Sequence, residues 1–222
     1  MKKILLSIIS AFILLSGVFK LHSQSTSIDL QVGFVFSQPS VDLTFGSLGV
    51  FVVDISGEGF AGLSSSSDFL GETPVVGSSF GNSNTIVMSI SEAIDFGGSS
   101  GFTFGLQSFD FGAIGASTGS QLGFYFFESY DSTSQPISLG VDYGFFRSDV
   151  ISTENGSDIA WLVPPPATNN NLFAFGDSFN PLSSISDAEL TAGFTVVPEP
   201  STYAAIVGLL ALTLVGYRRL RK

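Results

Sequence analysis

The chain has 222 residues, 44% hydrophobic and only 12% charged, with 25 Gly, 23 Phe, no Cys and a formal net charge of −11. So many phenylalanines exclude a disordered acidic tail, and the lack of thiols excludes a disulfide scaffold or a cysteine-ligated cluster. The acidic balance excludes nucleic-acid binding, and the length suits one ordinary domain or two small ones.

Lys2 and Lys3 precede an apolar run over 4–19, interrupted only by small residues such as Ser7, Ser10, Ser16 and Gly17. Leu21-His22-Ser23-Gln24-Ser25 follows. A basic start, a short apolar centre and small residues at a polar boundary predict a secretory signal peptide over 1–25, cut after Ser23 or Ser25. An uncleaved N-terminal anchor is the alternative. From Asp29 to Glu199 lie all 19 carboxylates and a single cation, Arg147, for a net −18.

Short runs rich in Val, Ile, Phe and Thr then follow at 28–36, 41–45, 50–55, 85–90, 102–107, 122–128, 137–146, 172–175 and 189–197. Gly, Ser, Asn and Asp separate them. Phe102-Thr103-Phe104 alternates, and Ile86, Met88 and Ile90 are predicted on one apolar face. A period of two, with turn residues at roughly 8–15-residue spacing, predicts antiparallel strands. The predicted class is all-β, with an antiparallel β-sandwich or jelly-roll body over 26–197; a barrel stays open as an alternative. Only 186–191 suits a turn of helix. The Gly- and Ser-rich stretch 56–83 is predicted as a long excursion, and the proline-rich stretch 164–171 as extended, irregular backbone.

Ile94-Asp95-Phe96-Gly97, Phe109-Asp110-Phe111-Gly112 and Val141-Asp142-Tyr143-Gly144 repeat an apolar-Asp-aromatic-Gly pattern. A ligand motif would look like this. So would a strand end in which two inward aromatics flank an outward Asp and the Gly supplies a turn, and this explains the repeat.

Residues 26–197 contain no His, Cys or Lys. A Ser-His-Asp triad, a thiolate nucleophile and a Ser-Lys pair are therefore out of reach, and a zinc site lacks its usual ligands. Gly57-Glu58-Gly59 has neither a third glycine nor a following helix, so it carries no phosphate-binding signal. The expectation is a protein that is not an enzyme and needs no cofactor. Carboxylates remain. Glu154 and Asp158, in the turn Glu154-Asn155-Gly156-Ser157-Asp158, are the local candidates for calcium, although a plain solvated turn explains the same residues. A carbohydrate-binding or glycan-cleaving module is the alternative function; it needs an acid pair in a groove beside Trp161, Tyr125 or Tyr143.

After Val197 come Pro198-Glu199-Pro200, an uncharged apolar stretch over 203–217, and the basic cluster Arg218, Arg219, Arg221 and Lys222. The stretch spans roughly 22 Å as a helix, short of a ~30 Å hydrocarbon core. Ser201, Thr202, boundary tyrosines and snorkelling arginines make up part of the difference. The basic cluster acts as a stop-transfer signal and stays cytoplasmic, which puts the acidic middle outside.

Pro-Glu-Pro, apolar helix and basic tail, in that order, resemble the PEP-CTERM sorting signal of Gram-negative bacteria that make extracellular polysaccharide. The resemblance covers residues 198–222 alone. It implies that a membrane-embedded cysteine protease, the exosortase, recognises Pro198, Glu199 and Pro200 and cuts near them. The body is then released or transferred to the cell surface or extracellular matrix. The expected protein is exported through the inner membrane, anchored there transiently by its C-terminal helix, and structural or matrix-associated, with extracellular polysaccharide as a possible partner and no nucleic acid. A plain membrane-anchored surface protein is the remaining alternative.

Overall fold

The computed structural model describes residues 25–33, 36–38, 41–63, 66–95, 100–128, 135–147, 161–165, 169–175, 192–198 and 200–220. In chain order these form β1 (Thr26–Gly33), β2 (Phe36–Gln38), β3 (Val41–Asp42), β4 (Leu48–Asp54), β5 (Ser79–Phe80) and β6 (Asn82–Glu92). Next come β7 (Ile94–Asp95), β8 (Ser100–Phe109), β9 (Leu122–Phe127), β10 (Asp142–Phe146), β11 (Asn169–Phe175) and β12 (Phe194–Thr195). One α-helix, α1 (Pro200–Leu220), follows. The body is all-β. A six-stranded antiparallel sheet has the order β12-β10-β9-β4-β6-β5, a four-stranded sheet the order β11-β1-β8-β7, and β2-β3 is a separate ribbon. Among the described strands only β1 and β11 pair in parallel, and Ser66 and Val196 form an isolated parallel bridge.

The two central strands of the larger sheet, β4 (LGVFVVD) and β9 (LGFYFF), do not alternate, and every residue in both is buried. Continuous apolar runs of this kind belong to strands covered on both faces. On one face Phe51, Val53, Phe124 and Phe126 share an apolar cluster with Ile28, Leu30, Phe102 and Phe104 of the four-stranded sheet. There the alternation holds as expected: Phe102 and Phe104 are buried and Thr103 is exposed.

The other face is covered by the segment predicted as an excursion. Phe60, Ala61, Phe69 and Phe80 pack there against Val50, Val52, Tyr125, Phe127 and Tyr143. The stretch is thus a packed cover, and its last residues, from Ser79 onward, belong to β5 and β6. Glycine and serine misled the reading because the cover is built from turns, and a few aromatics with Ala61 supply its apolar face.

Some glycines and phenylalanines of the sheets are matched to one another. Gly144 lies directly opposite Phe126 in the sheet, and a Cβ there would stand 2.5 and 2.7 Å from the ring carbons Cε2 and Cε1. A Cβ on Gly49 would stand 2.5 Å from Phe102 Cδ1, and one on Gly123 would stand 2.8 Å from Phe145 Cε2. Bare backbone in these strands is the seat on which a ring lies, so each such glycine is fixed by close approach rather than by a turn.

Several predicted elements change. Ile86 and Met88 join the cluster between the sheets, but Val87 and Ile90 join the one under the cover. The register slips between Phe51 and Val52, leaving Met88 without an opposite residue. This bulge moves Ile90 to the other face and defeats a strict period of two. Residues 137–146 are not one strand. Gly140 turns the chain at φ 82, and Ile137 instead exchanges backbone bonds with the cover, its N–H donating to Glu72 O at 2.7 Å. Asn169–Asn171 lie in β11, not in irregular chain, because parallel pairing with β1 supplies their backbone partners. The predicted helical turn over 186–191 lies outside the described residues.

Phe109-Asp110-Phe111-Gly112 is a strand end as read. Asp110 accepts the Ala113 N–H at 3.0 Å, but the left-handed turn residue is Gly115, at φ 83. Val141-Asp142-Tyr143-Gly144 runs into the middle of β10, where its glycine is a ring seat.

Candidate processing site

The segment before Pro198 is built into the sheet edge. Thr195 and Phe194 pair with Asp142 and Tyr143 of β10, and the Thr195 hydroxyl donates to the Asp142 carboxylate at 2.6 Å. The Val196 N–H donates to Val141 O at 2.9 Å, and Val196 O accepts the Gly140 N–H at 2.9 Å. On the opposite side the Ser66 N–H donates to Thr195 O at 3.2 Å, and the Val197 N–H donates to Ser66 O at 3.0 Å. The Val196 side chain is fully buried with Phe69 and Tyr143.

Pro198 is half-buried, Glu199 lies outside the described residues, and Pro200 is the first residue of α1. Proline suits that position because its fixed φ is already helical and its missing N–H has no intrahelical partner to lose. Every described side chain of α1 is exposed, including Ile206, Val207, Leu209, Leu210, Leu212 and Leu214. Tyr203 and Tyr217 bracket these residues and are also exposed. Arg218 and Arg219 fall in the last turn of the helix, while Arg221 and Lys222 lie outside the described residues. Among the described residues no helix is long and apolar enough to cross a membrane. Of the predicted signal peptide over 1–25, only Ser25 is described.

The aromatic residues proposed for a sugar site are core. Trp161, Tyr125 and Tyr143 are at most 2% exposed. Trp161 packs edge-on against Phe146 with ring centres 4.9 Å apart. The two tyrosines project from the larger sheet under the cover. The Tyr125 hydroxyl donates to Ala61 O at 2.5 Å and the Tyr143 hydroxyl to Gly62 O at 2.9 Å. They staple the cover and do not face solvent. Sequence reasoning missed this role because a strand residue's inward partner depends on which segment folds over it.

Carboxylates in the cover and its neighbours hold backbone. Asp54, fully buried, accepts the N–H groups of Ser56 at 2.9 Å, Gly57 at 3.2 Å and Gly59 at 2.7 Å, and the Ser56 hydroxyl at 3.0 Å. The amides of Ser56, Gly57 and Gly59 therefore form a nest around the chain's own carboxylate. The signal was Asp54 ahead of a Ser-Gly-x-Gly turn, an arrangement favoured by side-chain-to-backbone bonding. Asp68 likewise accepts the Gly62 N–H at 3.1 Å and Glu72 the Gly81 N–H at 2.8 Å. With no lysine in this part of the chain, amides take the place of cations. Among the described residues no group of three or more His, Cys, Asp or Glu is placed to hold a metal. Glu154 and Asp158 lie outside the described residues.

Burial, reinforced by Asp68, pushes the Tyr143 phenol from 10.0 up to about 12. Burial, followed by the charges of Tyr143, Asp68 and Asp54, raises Tyr125 as well. Both phenols are thus neutral donors at any ordinary pH. The unfolded chain releases these protons near pH 10 while the folded chain keeps them. The stability Tyr143 adds is full below about pH 10 and is lost as pH climbs through about 12, and Tyr125 gives way at still higher pH. An alkaline titration should show near-UV circular dichroism and phenolate absorbance changing together in that window. Replacing both tyrosines by Phe should flatten the slope; an unchanged slope would mean that other groups carry it.

No family model, no curated protein and no solved structure matches the chain.

Proposed function

We propose that this chain is an exported cargo protein whose tail is a sorting signal read by an exosortase-type membrane peptidase. Its body is then a β-sandwich with a structural, matrix-associated role at the cell surface, beside extracellular polysaccharide. One observation carries this reading. Pro198-Glu199-Pro200 stands between the last strand of the folded body and an exposed apolar helix that ends in basic residues. The shared cluster between the two sheets supports the sandwich. Exposed leucines all round α1 suit a lipid environment better than water.

In such a reaction the peptidase thiol opens a peptide bond near the motif. The helix leaves with the new amino terminus, and the acyl group of the body passes to water or to a surface nucleophile. The body supplies no catalytic group of its own. Its net −17, from 18 carboxylates and Arg147 over 26–197, favours solubility and keeps it from anionic polymers unless divalent cations bridge the two.

Substituting alanine for Pro198, Glu199 and Pro200 together tests the proposal. In the producing cell the variant should stay in the membrane fraction with its helix uncut, and processing should fall at least about tenfold. Destination and intact mass identical to the parent protein would reject it.

A further inference from the structure

A peptidase binds its substrate as extended chain and pairs with the backbone amides and carbonyls on either side of the scissile bond. Over residues 195–197 those groups are already engaged. Thr195 O, Val196 N–H, Val196 O and Val197 N–H are bonded to Ser66, Val141, Gly140 and Ser66 in turn. Pro198 has no N–H, so this pairing cannot continue past Val197. The sheet edge ends where the Pro-Glu-Pro segment begins, and no spacer separates them.

We infer that the folded body sets the amino-terminal limit of processing: bonds within residues 194–197 are closed to a peptidase, with Ser66, Gly140 and Val141 as the positioning residues. The protein-side geometry stands alone, and only the identity of the physiological peptidase rests on the proposed function. Pro198 then has two roles, ending the strand and opening the segment to be cut. The released body keeps Val196 in its core, and its sheet edge survives the loss of the helix. A cut one or two residues earlier would strip Val196 from beneath Tyr143 and Phe69.

Brief digestion of the purified full chain with proteinase K, read by intact mass, tests the limit. New carboxyl ends should fall at Val197 or beyond, and bonds within 194–197 should be cut at least about a hundredfold more slowly. Fragments ending at 194–196 that form as fast as those ending beyond 197 would overturn the inference. Val196→Asp, which places an unpaired charge in the core, should open these bonds. If that variant does not fold, Ser66→Pro removes one N–H of the clamp and should speed the same cuts. A folded variant that digests like the parent protein would also overturn it. In the producing cell, a mature carboxyl end before Val197 refutes the limit. A chain left wholly uncut there counts against the sorting signal, and the digestion still decides the limit.

Discussion

Phe69→Ala should lower the folding free energy by about 3–5 kcal/mol and detach the cover from the six-stranded sheet. The Phe69 ring is fully buried. Its centre lies 4.9 Å from that of Phe80, 5.0 Å from Tyr125, 5.2 Å from Tyr143 and 5.4 Å from Phe127. Most of these contacts are edge-on, the arrangement aromatic quadrupoles favour. Gly62 and Gly81, at φ 64 and 73, close on the ring. A Cβ on either would come within 2.7 Å of a ring carbon. Neither glycine has a side chain that could relax into the hole left by alanine, so the cavity persists and the cost falls near the upper end of the range. Against a total stability of about 5–15 kcal/mol this is a large fraction. Urea unfolding measures it, with exposed Val75→Ala as a control expected within about 0.5 kcal/mol of the parent protein. A loss under about 1 kcal/mol would show that the cover does not depend on this ring.

Gly144→Val should cost about 3 kcal/mol, although valine is the better strand former. Valine's branched Cβ would enter the Phe126 ring, which is itself fully buried. Phe126 also stands opposite Gly49 on the strand at its other side, but its ring lies over Gly144, and the rings nearest Gly49 are Phe102 and Phe124. Escape is blocked by Phe124, stacked against it with ring centres 5.9 Å apart. Shrinking the ring should relieve the clash. The double variant Gly144→Val with Phe126→Ala should lose less than the sum of the two single variants, by at least about 1 kcal/mol. Strict additivity in thermal or urea unfolding would mean that the two positions do not touch.

Both expectations depend on pairings that composition only hints at. The surplus of Gly and Phe was visible at once; that one seats the other emerges only from the register of β4, β9 and β10. The strand runs were legible because apolar, β-branched and aromatic residues bounded by turn residues form a local pattern. Where the pattern failed, a distant contact had intervened. A bulge opposite Phe51 and Val52 turned Ile90 over, β1 drew Asn169–Asn171 into a strand, and the cover drew Ile137 out of one. Trp161, Tyr125 and Tyr143 carry the chemistry of a sugar platform, but whether such a ring meets solvent or another ring is settled by what folds over it.

The sequence by itself determined the all-β class, the acidic body without His, Cys or Lys, and the linear order of Pro198-Glu199-Pro200, apolar stretch and basic cluster. These depend on residue types and short spacings, which survive without any knowledge of the fold. Only the tertiary structure decided that residues 56–80 seal a second core, that Asp54 holds a loop rather than a ligand, and that the chain is clamped through Val197. Those outcomes come from burial and backbone pairing between segments far apart in the chain, where free energy depends on which surfaces meet.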